Sequence, residues 1–127
     1  ERKSRKLIAR KIDNKKSDTI NKTLKPIIQQ LIEDEKIISI TTDNGLEFSK
    51  LSELEEEGIN IYFTHAYSAW EKGTNERINR MIREIYPKGT TLKDIDNLEI
   101  QRVVENINNK PRKILNYQSS QECFACP

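Results

Sequence analysis

Little in this chain belongs to a secreted or membrane-bound protein. It has two cysteines, Cys123 and Cys126, both in CFAC at the C-terminal end. Two thiols so close together do not make an extracellular disulfide framework. One C-x-x-C with no second ligand pair is also weak grounds for zinc or redox work, so the plain reading is two reduced thiols near a frayed end. No apolar run is long enough to cross a bilayer, and no secretory signal is visible. These absences predict a soluble, intracellular protein with no membrane partner. Repeats, low-complexity tracts and flexible linkers are lacking too. The single histidine, His65, falls in a loop and is read as a packing or surface residue rather than a catalytic one.

Charge is abundant. Charged residues make up 33% of the 127 and hydrophobic residues 35%, which predicts one domain, residues 1–127, with a modest core. The net charge of +2 says less than its distribution. Arg2, Lys3, Arg5, Lys6, Arg10, Lys11, Lys15 and Lys16 crowd the start, whereas LSELEEEG (51–58) is acidic. A basic end and an acidic patch imply an oriented field, and a polyanion is a suitable partner.

ERKSR reads as a turn and KLIARKI as a short strand, with an element expected before Glu1. Ser17 and Asp18 are candidate caps for a helix carrying Ile20, Leu24, Ile27, Ile28 and Leu31, which Pro26 interrupts. KIISITT (36–42) predicts a buried strand, residues 49–57 a short helix ended by Gly58, and INIYFT (59–64) another strand. Helices are expected over about 70–86 and 96–109, the second with Val103, Val104 and Ile107 inward. Alternation of this kind predicts an α/β layer fold with parallel pairs, and antiparallel strands at one side from the opening segment.

Two carboxylates stand out. Asp43 ends an apolar run and precedes Asn44-Gly45, a dipeptide suited to a hairpin. LEFSKLSELEEEG follows, however, and looks helical rather than extended, which weakens the hairpin and leaves Asp43 at the carboxyl end of a strand, where ligands bind in α/β folds. Glu47 fits an Asn-x-x-Glu cap after Asn44 and is not counted as a ligand. In the long helix, at about 100° per residue, Ile78, Met81, Ile82 and Ile85 share one face, and Glu76, Arg80 and Arg83 share the opposite one. Glu76 is then either half of an ordinary surface Glu–Arg pair or a site residue. Gly73, one turn earlier, would let a large ligand approach the backbone, and Tyr67 and Trp70 suit base stacking or packing.

TDNGLEF, then YFTHAYSAWEKGTNERINRMIREIYPKG, then INNKPRKILNYQSSQECF resemble the catalytic core of bacterial insertion-sequence transposases, in particular the insertion-sequence-thirty family of the DDE transposase and retroviral integrase superfamily. The likeness runs from ERKSR nearly to the C-terminus. It implies a ribonuclease H-like mixed sheet flanked by helices, lacking its first strand here. It also implies metal-dependent DNA cleavage and strand transfer in the bacterial cytoplasm, at the nucleoid, by a protein that is a homo-oligomer at full length. By the same resemblance Asp43 is the second catalytic Asp and Glu76, in KGTNE, the catalytic Glu. Lys72, Asn75, Asn79 and Arg83 flank the Glu, and Asn109, Pro111, Arg112 and Lys113 match a basic stretch in which Lys110 replaces an Arg. Lys72, Asn75, Asn79, Arg80, Arg83, Arg112 and Lys113 are thus the expected DNA contacts.

Departures accompany the likeness. Asp43 and Glu76 are separated by 32 residues, one fewer than usual in the family. Ala66 and Ser120 stand where Pro is usual. The family's first Asp would lie upstream of ERKSR, and Asp13 and Asp18 are misplaced for that role.

Phosphodiester transfer builds negative charge on the attacking and leaving oxygens. Two Mg²⁺ (or Mn²⁺) ions roughly 3.5–4 Å apart clamp both, and such hard ions take carboxylate oxygens and water. Two carboxylates under-neutralise two divalent ions. The chain by itself is therefore expected to bind metal weakly and to catalyse little. The alternatives are an inactive remnant that binds nucleic acid or an intact transposase, and an unrelated soluble α/β domain.

Overall fold

The apolar spacing after Lys16 does form a helix. In the computed structural model, which describes residues 1–65 and 73–126, α1 runs Ser17–Glu33 without a break at Pro26. Ser17 and Asp18 do not cap it: Lys16 holds the cap position, with no side-chain cap bond. Asp18 is instead taken by Lys50 Nζ at 2.8 Å, and Asn14 Oδ1 accepts from Lys16 N and the Thr19 hydroxyl. The rest of the order is β1 (Ser39–Thr42), 3₁₀ turns at Leu46–Phe48 and Leu51–Glu57, β2 (Asn60–Phe63), α2 (Gly73–Ile85), α3 (Asn97–Asn109), a 3₁₀ turn at Lys113–Leu115, and α4 (Ser120–Ala125). The α/β class holds. No helix among the described residues is long and apolar enough to cross a membrane.

The chain divides into two compact units, Ile12–Glu71 and Glu1–Lys11 with Lys72–Pro127. In the first, Ile20 and Ile28 of α1 bury against Leu51, Leu54, Ile59 and Ile61, with Ile40 and Phe48 packed beside them. β1 and β2 are parallel, pairing Ile40 with Ile61 and Thr42 with Phe63. That register rules out a hairpin at Asn44-Gly45, because the chain must return to the start of β2 through the 3₁₀ turns. β1 is shorter and wetter than the predicted buried strand: its residues alternate between exposed and half-buried, and Ile38 is 85% exposed. Residues 51–57 coil as a 3₁₀ segment that buries Leu51 and Leu54 and ends at Gly58, whose φ of 98° is the left-handed conformation glycine permits.

In the second unit, KLIARKI is not a strand. Its backbone pairs with side chains of α3 rather than with another strand. Leu7 N donates to Asn108 Oδ1 and Asn108 Nδ2 donates to Leu7 O, both at 2.9 Å. Gln101 Nε2 donates to Ala9 O, and Lys11 N to Asn97 Oδ1. Residues two apart on an extended chain thus meet carboxamides spaced along one helix, and the described sheet has only β1 and β2, with no antiparallel strand. Asn108 is buried, and its loss leaves both polar groups of Leu7 unpaired. Asn108→Ala is expected to lower stability by about 2 kcal/mol in urea denaturation; a change below about 0.5 kcal/mol would show the clamp to be incidental.

α3 begins at Asp96, whose side chain accepts from Glu99 N, and it buries Val104 and Ile107, while Val103 is half-buried. α4 begins with a reciprocal cap: Glu122 N donates to Ser119 Oγ, and Ser119 N donates to Glu122 Oε2 at 2.7 Å. These bonds hold the Glu122 carboxyl below its usual range. The Ser-x-x-Glu signal in SSQE marks this helix start, where sequence reasoning saw only a frayed end. Cys123 sits within α4 and Cys126 just after it, and they form no disulfide.

Candidate nucleic-acid interface

Asp43 follows the last residue of β1, at its carboxyl end. Thr64 N donates to Thr42 O at 2.8 Å, and Asn44 Nδ2 donates to Thr64 O at 2.7 Å. Asp43 is therefore bracketed by two ties to one buried residue, and both polar groups of the Thr64 backbone are used. Asp43 itself is exposed. Asn44-Gly45 leads into the Leu46–Phe48 turn with Gly45 at φ −74°, so no positive φ is needed there. Glu47 does not cap that turn: Gly45 is the cap residue and no side-chain cap bond forms. The Glu47 carboxylate folds back over Gly45, where an added Cβ would lie 2.5 Å from Oε2.

Glu76 lies in the first turn of the described α2, where negative charge suits the helix dipole, and it is exposed. The helix faces fall as the sequence implies. Ile78 is buried, Met81 and Ile82 are half-buried, and Asn75, Glu76, Asn79, Arg80 and Arg83 are exposed. Ile85, expected inward, is 44% exposed. Asp43 belongs to one compact unit and Glu76 to the other. Among the described residues no group of three or more His, Cys, Asp or Glu side chains gathers as a metal site. In donor type the two carboxylates fit a hard divalent cation. Lys72, Tyr67 and Trp70 lie outside the described residues.

The second unit holds a cleft of about 420 Å³ between α2, the N-terminal segment and the loop after α3. Five of its lining residues are cations: Arg5, Arg77, Lys110, Arg112 and Lys113. No acidic side chain is among its described lining. Its remaining walls are mainly apolar, from Ile78, Met81, Pro111 and Ile114. Arg112 and Lys113, expected from the sequence, are thus brought together with Arg5, Arg77 and Lys110. Asn75, Asn79, Arg80 and Arg83 are not part of this lining. Arg77 was missed because it lies about 100° around the helix from Glu76, off the face aligned with the carboxylate. Its signal was proximity to the glycine side of the helix: Gly73, Thr74, Arg77 and Ile78 share the cleft wall.

Local structure fixes these cations. Arg5 has φ 63°, a left-handed conformation that costs a bulky residue about 1 kcal/mol. It is held there by the fully buried Ser120, whose hydroxyl donates to Arg5 O at 3.3 Å, and its guanidinium donates to the Thr74 hydroxyl. The loop carrying Lys110–Ile114 is closed by a bridge between Pro111 and Ser119 and by Arg112 N donating to Gln118 O. Arg112 O accepts from both Leu115 N and Tyr117 N. Its side chain reaches back to the last turn of α3, with Nη2 3.4 Å from Ile107 O, where a cation suits the helix end. Burial, then the charges of Arg77 and Arg5, push the Arg112 guanidinium below its usual value.

No protein-family model matches the chain. Individual relatives do. A probable transposase for the insertion-like sequence element IS1161 of Streptococcus salivarius is 40% identical over 124 residues, covering 98% of this chain and 34% of that protein. The chain belongs, by sequence, to the insertion-sequence transposases. Within them it matches transposase InsI of the element IS30C of Escherichia coli K12, 34% identical over 96% of this chain and 32% of that protein, so the family resemblance read from its motifs holds. A putative integrase of Spiroplasma virus SpV1-R8A2 B is 37% identical over 95% of the chain. The chain spans about a third of the length of the relatives it matches.

Proposed function

We propose that this chain is part of a DDE transposase of ribonuclease H-like fold that cleaves and joins DNA strands by metal-dependent phosphoryl transfer. The carrying observation is the placement of Asp43: at the carboxyl end of a parallel strand, bracketed by Thr42 and Asn44 bonds to Thr64, with a Glu-bearing helix following β2. Asp43 and Glu76 are the proposed ligands of Mg²⁺ or Mn²⁺. When bound, the metal would offset charge on the reacting oxygens. The residues of the chain supply the rest: carboxylates held on a strand end and a helix, and arginines and lysines that hold the phosphates. The chain spans about a third of the relatives it matches, so the activity is proposed for the full-length polypeptide, with Asp43 and Glu76 as this chain's contribution to it.

The proposal is tested by titrating Mn²⁺ into the protein and following backbone amide signals. Weak paramagnetic broadening centred on Asp43 and Glu76 is expected. Broadening confined to the acidic 53–57 turn would sink the metal assignment. One observation favours the second reading, a chain that binds nucleic acid without catalysing: the five-cation cleft is built within one unit, without Asp43. On that reading DNA binding survives chelation and no cleavage accompanies it.

A further inference from the structure

We infer that the cleft of Arg5, Arg77, Lys110, Arg112 and Lys113 is a dedicated seat for the sugar–phosphate backbone of a nucleic-acid strand, with Arg112 as its central phosphate ligand. Identifying the strand as DNA rests on the transposase reading above. The cleft itself rests on three independent observations.

The first is electrostatic. Five cations converge with no carboxylate in the described lining, an arrangement that repels itself until an anion arrives. The second is an orphaned donor. Arg112 Nε is buried and has no hydrogen-bond partner among the described residues, while its Nη2 bond to Ile107 O is long. A buried unsatisfied guanidinium N–H is costly, so a small turn of the Arg112 side chain that brings it to an acceptor in the cleft is favoured, and a phosphate oxygen is the acceptor that guanidinium geometry matches. The third is the built-in strain of Arg5, whose left-handed backbone is held by Ser120 and whose side chain is steered by Thr74. Strain maintained by buried partners is characteristic of ligand sites.

The cleft's size and walls select the ligand. At about 420 Å³ it holds much more than one phosphate, since a water occupies about 30 Å³. Ile78, Met81, Pro111 and Ile114 add apolar surface that free phosphate would leave unused but that sugar faces would cover. The ligand is therefore a phosphodiester within a strand rather than free phosphate or a terminal phosphomonoester. Arg80 and Arg83, exposed on α2 away from this lining, act as diffuse contacts.

Two measurements test this. In the first, inorganic phosphate is titrated while the side-chain Nε–H signals of the arginines are observed. A saturable shift of the Arg112 and Arg77 signals ahead of Arg80 and Arg83 is expected. In the second, short oligonucleotides with and without a 5′-phosphate are bound over a range of salt. Arg77→Gln and Arg112→Gln are each expected to weaken binding about tenfold and to lower the salt slope by about one. The double variant R80Q/R83Q should lose less than either, and the 5′-phosphate should make no difference. Arg77 is exposed, so its variant keeps the test open if Arg112→Gln does not fold. Equal shifts for all four arginines, or equal losses from both faces, would overturn the dedicated seat. Tighter binding of the 5′-phosphorylated strand would replace the backbone ligand with a strand end. If the wild type binds phosphate at Arg112 but neither DNA nor RNA at low salt, the strand-backbone assignment is overturned; if it binds RNA and not DNA, the seat stands and the identification of the strand as DNA fails.

Discussion

Glu76→Gln, in the longer polypeptide to which the proposed activity belongs, is expected to lower Mg²⁺-dependent strand cleavage by about a thousandfold, or roughly 4 kcal/mol of transition-state stabilisation. Gln keeps the length and helix preference of Glu and removes only the charge. Because Glu76 is exposed and outside the core, stability should change by less than about 0.5 kcal/mol. Asp43→Asn should do the same for the same reason, and the double variant should be little worse than either single one, since two ligands of one site act as a unit. DNA affinity should be retained in both, because the cleft cations are elsewhere in the sequence. Cleavage assays on end-labelled DNA, with thermal melting as the fold control, check each part. Retention of more than a tenth of the wild-type rate by Glu76→Gln would remove it from the catalytic group. Asn44 offers a companion test of positioning. Its side-chain bond to Thr64 O holds the residue after Asp43, so Asn44→Ala should slow cleavage yet leave phosphate binding at Arg112 intact.

Leu51→Ala carries the largest expected stability loss, about 3 kcal/mol. Leu51 is 1% exposed at the centre of the cluster formed with Ile28, Leu54 and Ile61. Truncation removes buried methyl groups and leaves a cavity that the short 3₁₀ segment is poorly able to collapse. Domains of this size have only about 5–15 kcal/mol in total, so the loss would be plain in urea denaturation. Leu51→Met, which nearly conserves volume, should cost below about 1.5 kcal/mol. Ile28→Ala combined with Leu51→Ala should not add to the sum of the two, since both residues line one cluster. The consequence reaches the candidate site, because Leu51 sits in the connection between β1 and β2 that keeps the two strands parallel and Asp43 at their end. A loss below about 1 kcal/mol would mean that the cluster is not the core of this unit.

Most of what was legible in the sequence was periodic. The 3.6-residue spacing of Ile20, Leu24, Ile27, Ile28 and Leu31 predicts α1, and that of Val103, Val104 and Ile107 predicts α3, because a helix repeats its face regardless of its surroundings. The helical look of LEFSKLSELEEEG argued against a hairpin, and the parallel register of β1 and β2 agrees. KLIARKI failed for the opposite reason: whether an extended segment becomes a strand depends on what lies beside it, and here Asn108, Gln101 and Asn97 take its backbone groups.

By itself the sequence determined the family and the run from α1 through β1 and β2 to α3, and it marked Asp43, Glu76, Arg112 and Lys113 as candidates, because local pattern and motif are carried by residues near one another along the chain. Only the tertiary structure decided which cations face a common cleft. Arg5 reaches it through a backbone turn held by Ser120, 115 residues away, and Arg77 through its angle around α2. Convergence of that kind depends on distances through space, which no spacing along a chain encodes.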